Sequence, residues 1–213
     1  MEIITHRGFW NLKKDQNNIK ALLKSLDLNY GVEFDVRDFN SNLVLSHDIP
    51  NNKSPKLEDF LKKIKNLNKY LIINIKSDGL NIKLKRLLKK YKIKNYAVFD
   101  MSIPDTLTYV KLNIKFLLRI SKYENDLSLL QKSHGIWLDQ FDKNFVSYEK
   151  INFYFKLNKK IFIVSPELHG RSYIQNWRLL KNISTKIPNA KIFLCTDFPN
   201  KANRFFNDKS YNI

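Results

Sequence analysis

The chain has 213 residues, 43% hydrophobic and 27% charged, which suits one folded domain over 1–213 and excludes a disordered tail. Its 38 basic and 20 acidic residues leave a net charge of +18, which favours anionic partners; most of the excess is lysine scattered over solvated helix faces, so no nucleic-acid partner is expected. The single cysteine, Cys195, excludes an internal disulfide, and no apolar run is long enough to cross a bilayer, so the expectation is a reduced, cytoplasmic protein with no transmembrane segment.

Strand-like, β-branched runs alternate with helical patterns. A first strand over 3–5 ends in His6-Arg7-Gly8, and a helix follows over 18–28. A second strand over 32–36 carries Glu33 and Asp35; a short run over 43–45 leads into His47-Asp48, and a helix follows over 57–64. The next strand, over 71–75, runs into Asn74-Ile75-Lys76. In the helix over 82–91, Leu84, Leu87, Leu88 and Tyr91 continue from Leu80 at the spacing of one buried face. Then come a strand over 97–99 ending at Asp100, a helix over 105–112, a strand over 116–120 with Arg119, and a strand over 136–138 ending at Asp139. A helix over 148–157 and a strand over 161–164 follow, then the polar run Ser165-Pro166-Glu167-Leu168-His169-Gly170-Arg171. A helix over 173–187 and a strand over 192–195, with Asp197 just beyond, complete the pattern.

The strand runs are nearly continuous apolar segments, as expected when both faces are covered. Strand and helix alternate about eight times, which predicts a compact (β/α)8 TIM barrel with short loops. An open doubly wound sheet is the other topology of this kind. Neither GxGxxG nor GxxxxGK[ST] follows a strand, so its common nucleotide-binding versions lack support.

In a TIM barrel the reactive groups sit at the C-terminal ends of strands. Glu33 and Asp35, two residues apart, face the same way from a buried strand. Two such carboxylates repel unless a positive charge lies between them, and hard divalent cations prefer oxygen ligands. His6 and His47, two of only four histidines, titrate near neutral pH and suit general acid and base roles. Arg7 and Lys76 supply fixed positive charge for a phosphate.

The order His6-Arg7-Gly8, Asn17 opening the first helix, Gly31, Glu33-x-Asp35 and His47-Asp48 resembles the glycerophosphodiester phosphodiesterase family of barrels. The resemblance implies hydrolysis of a small phosphodiester, with His6 and His47 as acid and base. It implies Glu33 and Asp35 as ligands of a magnesium or calcium ion, and Arg7 with Lys76 on the phosphate. The third metal ligand of the family falls at Asn74, where the family has glutamate. Gln16 likewise replaces a glutamate, and the stretch from Ile49 to Tyr70 has room for only one helix. Asn74 makes a barrel that binds phosphorylated ligands without cleaving them the alternative expectation. Glu167, Asp139 and Arg171 are candidates for additional site residues, with Glu167 as the compensating carboxylate.

Overall fold

The computed structural model describes residues 1–64 and 68–208. In chain order it contains β1 (Glu2–His6), α1 (Ile19–Asp27), β2 (Gly31–Phe39), β3 (Asn42–Leu45), α2 (Leu57–Lys63), β4 (Leu71–Ile75), α3 (Asn81–Lys90) and β5 (Tyr96–Phe99). There follow α4 (Ile103–Lys111), β6 (Leu117–Ile120), β7 (Gly135–Leu138), α5 (Tyr148–Lys156), β8 (Lys160–Val164), α6 (Ile174–Lys186), β9 (Ile192–Thr196) and α7 (Pro199–Asn207). Short 3-10 turns occupy Lys13–Asp15 and Pro166–His169. The strand order is β5-β4-β2-β1-β9-β8-β7-β6, with β3 paired only to β2, which is the topology of a (β/α)8 barrel. Among the described residues no helix is long and apolar enough to cross a membrane.

The chain divides into two compact units, Thr5–Phe116 and Met1–Ile4 with Leu117–Ile213. In the first, β2 and β4 run parallel with Val32 opposite Leu71 and Asp35 opposite Asn74, and β4 continues onto β5. A parallel bridge joins Val98 of β5 to Phe116, the residue before β6. Phe34, Phe60, Leu22, Leu57 and Leu71 are fully buried beneath the helices. Leu80, Leu84 and Leu88 form the buried stripe of the α3 region, as their spacing predicts.

In the second unit β6, β7, β8 and β9 pair in parallel. Phe162 and Phe193 stack with centroids 4.3 Å apart, and the buried Trp177 donates its indole N–H to Ser165 Oγ at 2.8 Å. Gly135 allows β7 to meet β8 closely: a Cβ there would lie 2.4 Å from the Lys160 carbonyl oxygen.

Two local features differ from the sequence reading. The second strand extends past Val36 to Phe39 and turns at Asn40 and Ser41, both at positive φ, into the antiparallel β3. That pair of left-handed residues makes a tight type I′ hairpin. The helix α7 is not among the predicted elements; Pro199 occupies its first turn, where no N–H is needed.

Candidate active site

The polar groups of the first unit gather at the ends of β1, β2 and β4. The loop after β1 is pinned to α1. Gly8 has φ +98°, and a Cβ on it would lie 2.9 Å from Ala21 C, so only glycine lets this loop seat against the helix. Phe9 N–H donates to the Ala21 carbonyl at 2.9 Å, and Trp10 Nε1 donates to the His6 carbonyl at 2.9 Å. Arg7 itself stands at φ +56°, a left-handed conformation that a long side chain adopts at a cost of about 1–3 kcal/mol. In return its N–H donates to Glu33 Oε2 at 3.1 Å.

Asp35 is fully buried at the centre of the group. Arg7 Nε lies 3.0 Å from Asp35 Oδ2, an ion pair without hydrogen-bond geometry, and Lys76 Nζ lies 3.8 Å from Oδ1. Lys76 is held more tightly by Asp100 Oδ2, at 2.9 Å. Asn17 grips Asp35 twice: its Nδ2 donates to Oδ2 at 2.8 Å, and Asp35 N–H donates to its Oδ1 at 3.0 Å. This corrects one expectation, since Asn18, not Asn17, caps α1, by accepting from Lys20 N–H at 2.9 Å. Within this group two described oxygens are buried without a hydrogen bond, Asp35 Oδ1 and Asn74 Oδ1, and they belong to residues paired in register on β2 and β4.

Glu33 lies on the same face of β2, as period 2 requires. Burial and the neighbouring Asp35 charge push its carboxyl up to about 7, against the opposing pull of His6 and Arg7. In the unfolded chain the group titrates near its ordinary value of 4.5. The native, metal-free protein therefore binds more protons than the unfolded chain between those two pH values, and its stability falls as pH rises through that window. The full effect is up to about 3 kcal/mol. Urea unfolding in a chelator at pH 4.5 and pH 7.5 measures it: the wild type should lose this increment relative to Glu33→Gln, and parallel pH profiles for the two proteins would refute the assignment.

The β2–β3 hairpin brings His47 back toward the end of β2. Ser46 N–H donates to the Asp35 carbonyl at 3.2 Å, and Arg37 Nε donates to the His47 carbonyl at 3.0 Å. His47 is 42% exposed, and its Nδ1 lies 2.7 Å from Asp48 Oδ1. The hydrogen bond from His47 holds the Asp48 carboxyl below its ordinary range. An ionised Asp48 accepts a hydrogen bond from Nδ1–H, which keeps that proton on Nδ1 and leaves Nε2 as the basic nitrogen.

The remaining candidates lie in the second unit. Glu167 accepts from Ser165 Oγ and Thr196 Oγ1, and from Asp197 N–H at 3.2 Å. Burial raises its carboxyl pKa and these hydrogen bonds oppose the rise. Asp139 pairs with His169 Nε2 at 2.7 Å, and Arg171 donates to the Gln140 carbonyl. Arg119, another strand-end cation, pairs with Glu124 at 2.5 Å. Sequence reasoning did not single out the Asn17 clamp or the Asp100–Lys76 pair. Among the described residues no set of three His, Cys, Asp or Glu side chains forms a metal-binding group; the cluster around Asp35 has two carboxylates and an amide.

No family model matches the chain, and no curated protein does. Solved structures do. A glycerophosphodiester phosphodiesterase from Agrobacterium tumefaciens aligns over 97% of this chain and 99% of its own, with TM-score 0.65 and 14% identity. A glycerophosphoryl diester phosphodiesterase from Parabacteroides distasonis aligns over 96% of this chain and 85% of its own, with TM-score 0.69 and 15% identity. What they share with this chain is the fold. It agrees with the topology read from the strand pattern, and it extends from end to end of the alternating pattern rather than stopping at the motif-rich first quarter.

Proposed function

We propose that the chain is a phosphoric diester hydrolase acting on a small, glycerophosphodiester-like substrate with the help of a divalent cation, magnesium or calcium. The observation that carries this reading is the pair of buried oxygens without a hydrogen bond, Asp35 Oδ1 and Asn74 Oδ1, on residues paired in register. Buried polar atoms are normally hydrogen-bonded, so two such oxygens without a hydrogen bond on neighbouring strands argue for a group that completes them. With Glu33 they form an all-oxygen donor set, which fits a hard cation. A cation held by these residues would supply Lewis-acid polarisation of a phosphoryl oxygen.

The chain's own residues supply the rest. Arg7 and Lys76 neutralise Asp35 and offer their remaining donors to the phosphate. Lys76 is aimed by Asp100. His6, close enough to Glu33 to lower its pKa, and His47, with its tautomer set by Asp48, divide acid and base work. One takes the nucleophile's proton and the other protonates the departing alkoxide. The two named structures that share this fold are phosphodiesterases by their names, which supports the same reaction class.

Asn74 favours a second reading. An amide ligand brings one negative charge fewer than glutamate, which fits a barrel that holds a phosphorylated ligand without turning it over. One experiment separates the two. The purified chain is incubated with a panel of small phosphodiesters, glycerophosphodiesters included, with magnesium or calcium and then with a chelator. Hydrolysis that needs the metal supports the proposal. Ligand binding with no turnover under any metal replaces it with the second reading.

A further inference from the structure

In the unit formed by Met1–Ile4 and Leu117–Ile213, a cavity of about 680 Å³ opens between the loop after β7 and the first turns of α6. Its volume is that of a small-molecule site. Three cations line it, Lys143, Arg171 and Arg178, and no aspartate or glutamate does. The carboxylates that flank this loop and the 3-10 turn are already engaged: Asp139 by His169, Asp142 by Lys122 at 3.1 Å, and Glu167 by Ser165 and Thr196.

Among the described residues Lys143 and Arg178 have no ion-pair partner, and Arg171 Nε is buried without an acceptor. The floor is rigid. Gln140 Nε2 donates to the Val164 carbonyl at 2.7 Å, Asn176 Nδ2 donates to Gln140 Oε1 at 2.9 Å, and Arg171 donates to the Gln140 carbonyl. Val146, Pro166, Ile174 and Leu179 make an apolar part of the wall, and Asn144, Ser172 and Gln175 complete the lining. A site with uncompensated positive charge beside a greasy wall selects an anion that carries a carbon skeleton. Two guanidinium groups and an ammonium favour phosphate, whose tetrahedral oxygens take several donors at once.

We propose that this cavity binds an organic phosphate monoester, with the phosphate on Lys143, Arg171 and Arg178. The carbon skeleton lies on the Val146–Leu179 wall. The shared chemistry is that of a soluble phosphate ester or of a lipid phosphomonoester headgroup, and the test separates these sources.

Calorimetric titration is made in the full chain carrying Lys76→Ala, so that phosphate held beside Asp35 does not contribute. Phenyl phosphate is one probe, inorganic phosphate a second, and phosphatidylcholine vesicles with and without phosphatidic acid a third. Phenyl phosphate should bind at least tenfold more tightly than inorganic phosphate. Adding Lys143→Ala and Arg178→Ala, both at exposed positions, should weaken binding at least tenfold while the circular dichroism spectrum is kept. Binding of phenyl phosphate alone identifies a soluble ligand; capture by vesicles only when they carry phosphatidic acid, lost in the same variants, identifies the lipid. Binding to neither probe overturns the proposal. So does affinity unchanged by the two added substitutions, or equal affinity for phenyl phosphate and inorganic phosphate.

Discussion

Asp35→Ala should both destabilise the protein and reduce phosphodiester hydrolysis to background. The carboxylate is fully buried and faces Arg7 Nε at 3.0 Å and Lys76 Nζ at 3.8 Å. Removing it leaves Arg7 without the carboxylate it faces and Lys76 with Asp100 alone, and it strips Asn17 Nδ2 of its acceptor, while Asn17 Oδ1 keeps the backbone N–H of residue 35. Deleting one member of a buried ion pair typically costs about 3–5 kcal/mol. Lys76 keeps Asp100, which places the loss toward the lower end. The effect on catalysis is separable from the effect on stability. Asp35→Asn retains the shape and one oxygen while losing the charge, so it should recover part of the unfolding free energy but not the activity, with metal affinity falling steeply. Denaturant midpoints, metal titration and initial rates on the two variants read these three quantities. An Asp35→Ala protein as stable and as active as wild type would remove Asp35 from the centre of the site.

The parts of this architecture that were legible in the sequence are those governed by short periods. Glu33 and Asp35 share a face because strand side chains alternate, and Val32, Phe34 and Val36, which alternate with them, are all fully buried. Predicted strand and helix boundaries lie within about one or two residues of the observed ones, except at β2, where Arg37 and Asp38 hide the extension into a hairpin. What was not legible depends on choices between similar residues or on contacts distant in sequence. Asn17 and Asn18 are adjacent and both competent to cap a helix; only packing decides that Asn18 caps α1 while Asn17, at φ +56°, turns to grip Asp35. Asp100 reads as one more strand-end acid, and its role on Lys76 depends on the adjacency of β4 and β5. Glu167 reads from its strand-end position as a candidate for the compensating carboxylate; its hydrogen bonds from Ser165, Thr196 and the Asp197 N–H depend on contacts that the sequence does not display.

Replacing either histidine should lower the turnover number by about 10²–10⁴, the usual contribution of a positioned acid or base. The two losses should differ in kind. His47 sits 42% exposed on the β3 exit, so His47→Ala should leave the unfolding midpoint near wild type. Its Nδ1 hydrogen bond to Asp48 orients Nε2, so Asp48→Asn should cost about tenfold through the tautomer while leaving the imidazole in place. His6 lowers the pKa of Glu33, and His6→Ala should therefore raise that carboxyl further and weaken metal binding as well as slow the reaction. Leaving-group dependence assigns the roles. A nitrophenyl phosphodiester expels a stabilised anion that needs no proton, so loss of the general acid is largely rescued on it, whereas loss of the general base is not. The histidine whose alanine variant regains most of the wild-type rate on the nitrophenyl ester, yet not on an alkyl ester, is the acid. The bell-shaped dependence of kcat/KM on pH should lose the limb belonging to the missing group. Equal deficits on both esters for both variants, with both pH limbs intact, would mean that the imidazoles only position the phosphate and that the protons move through other groups.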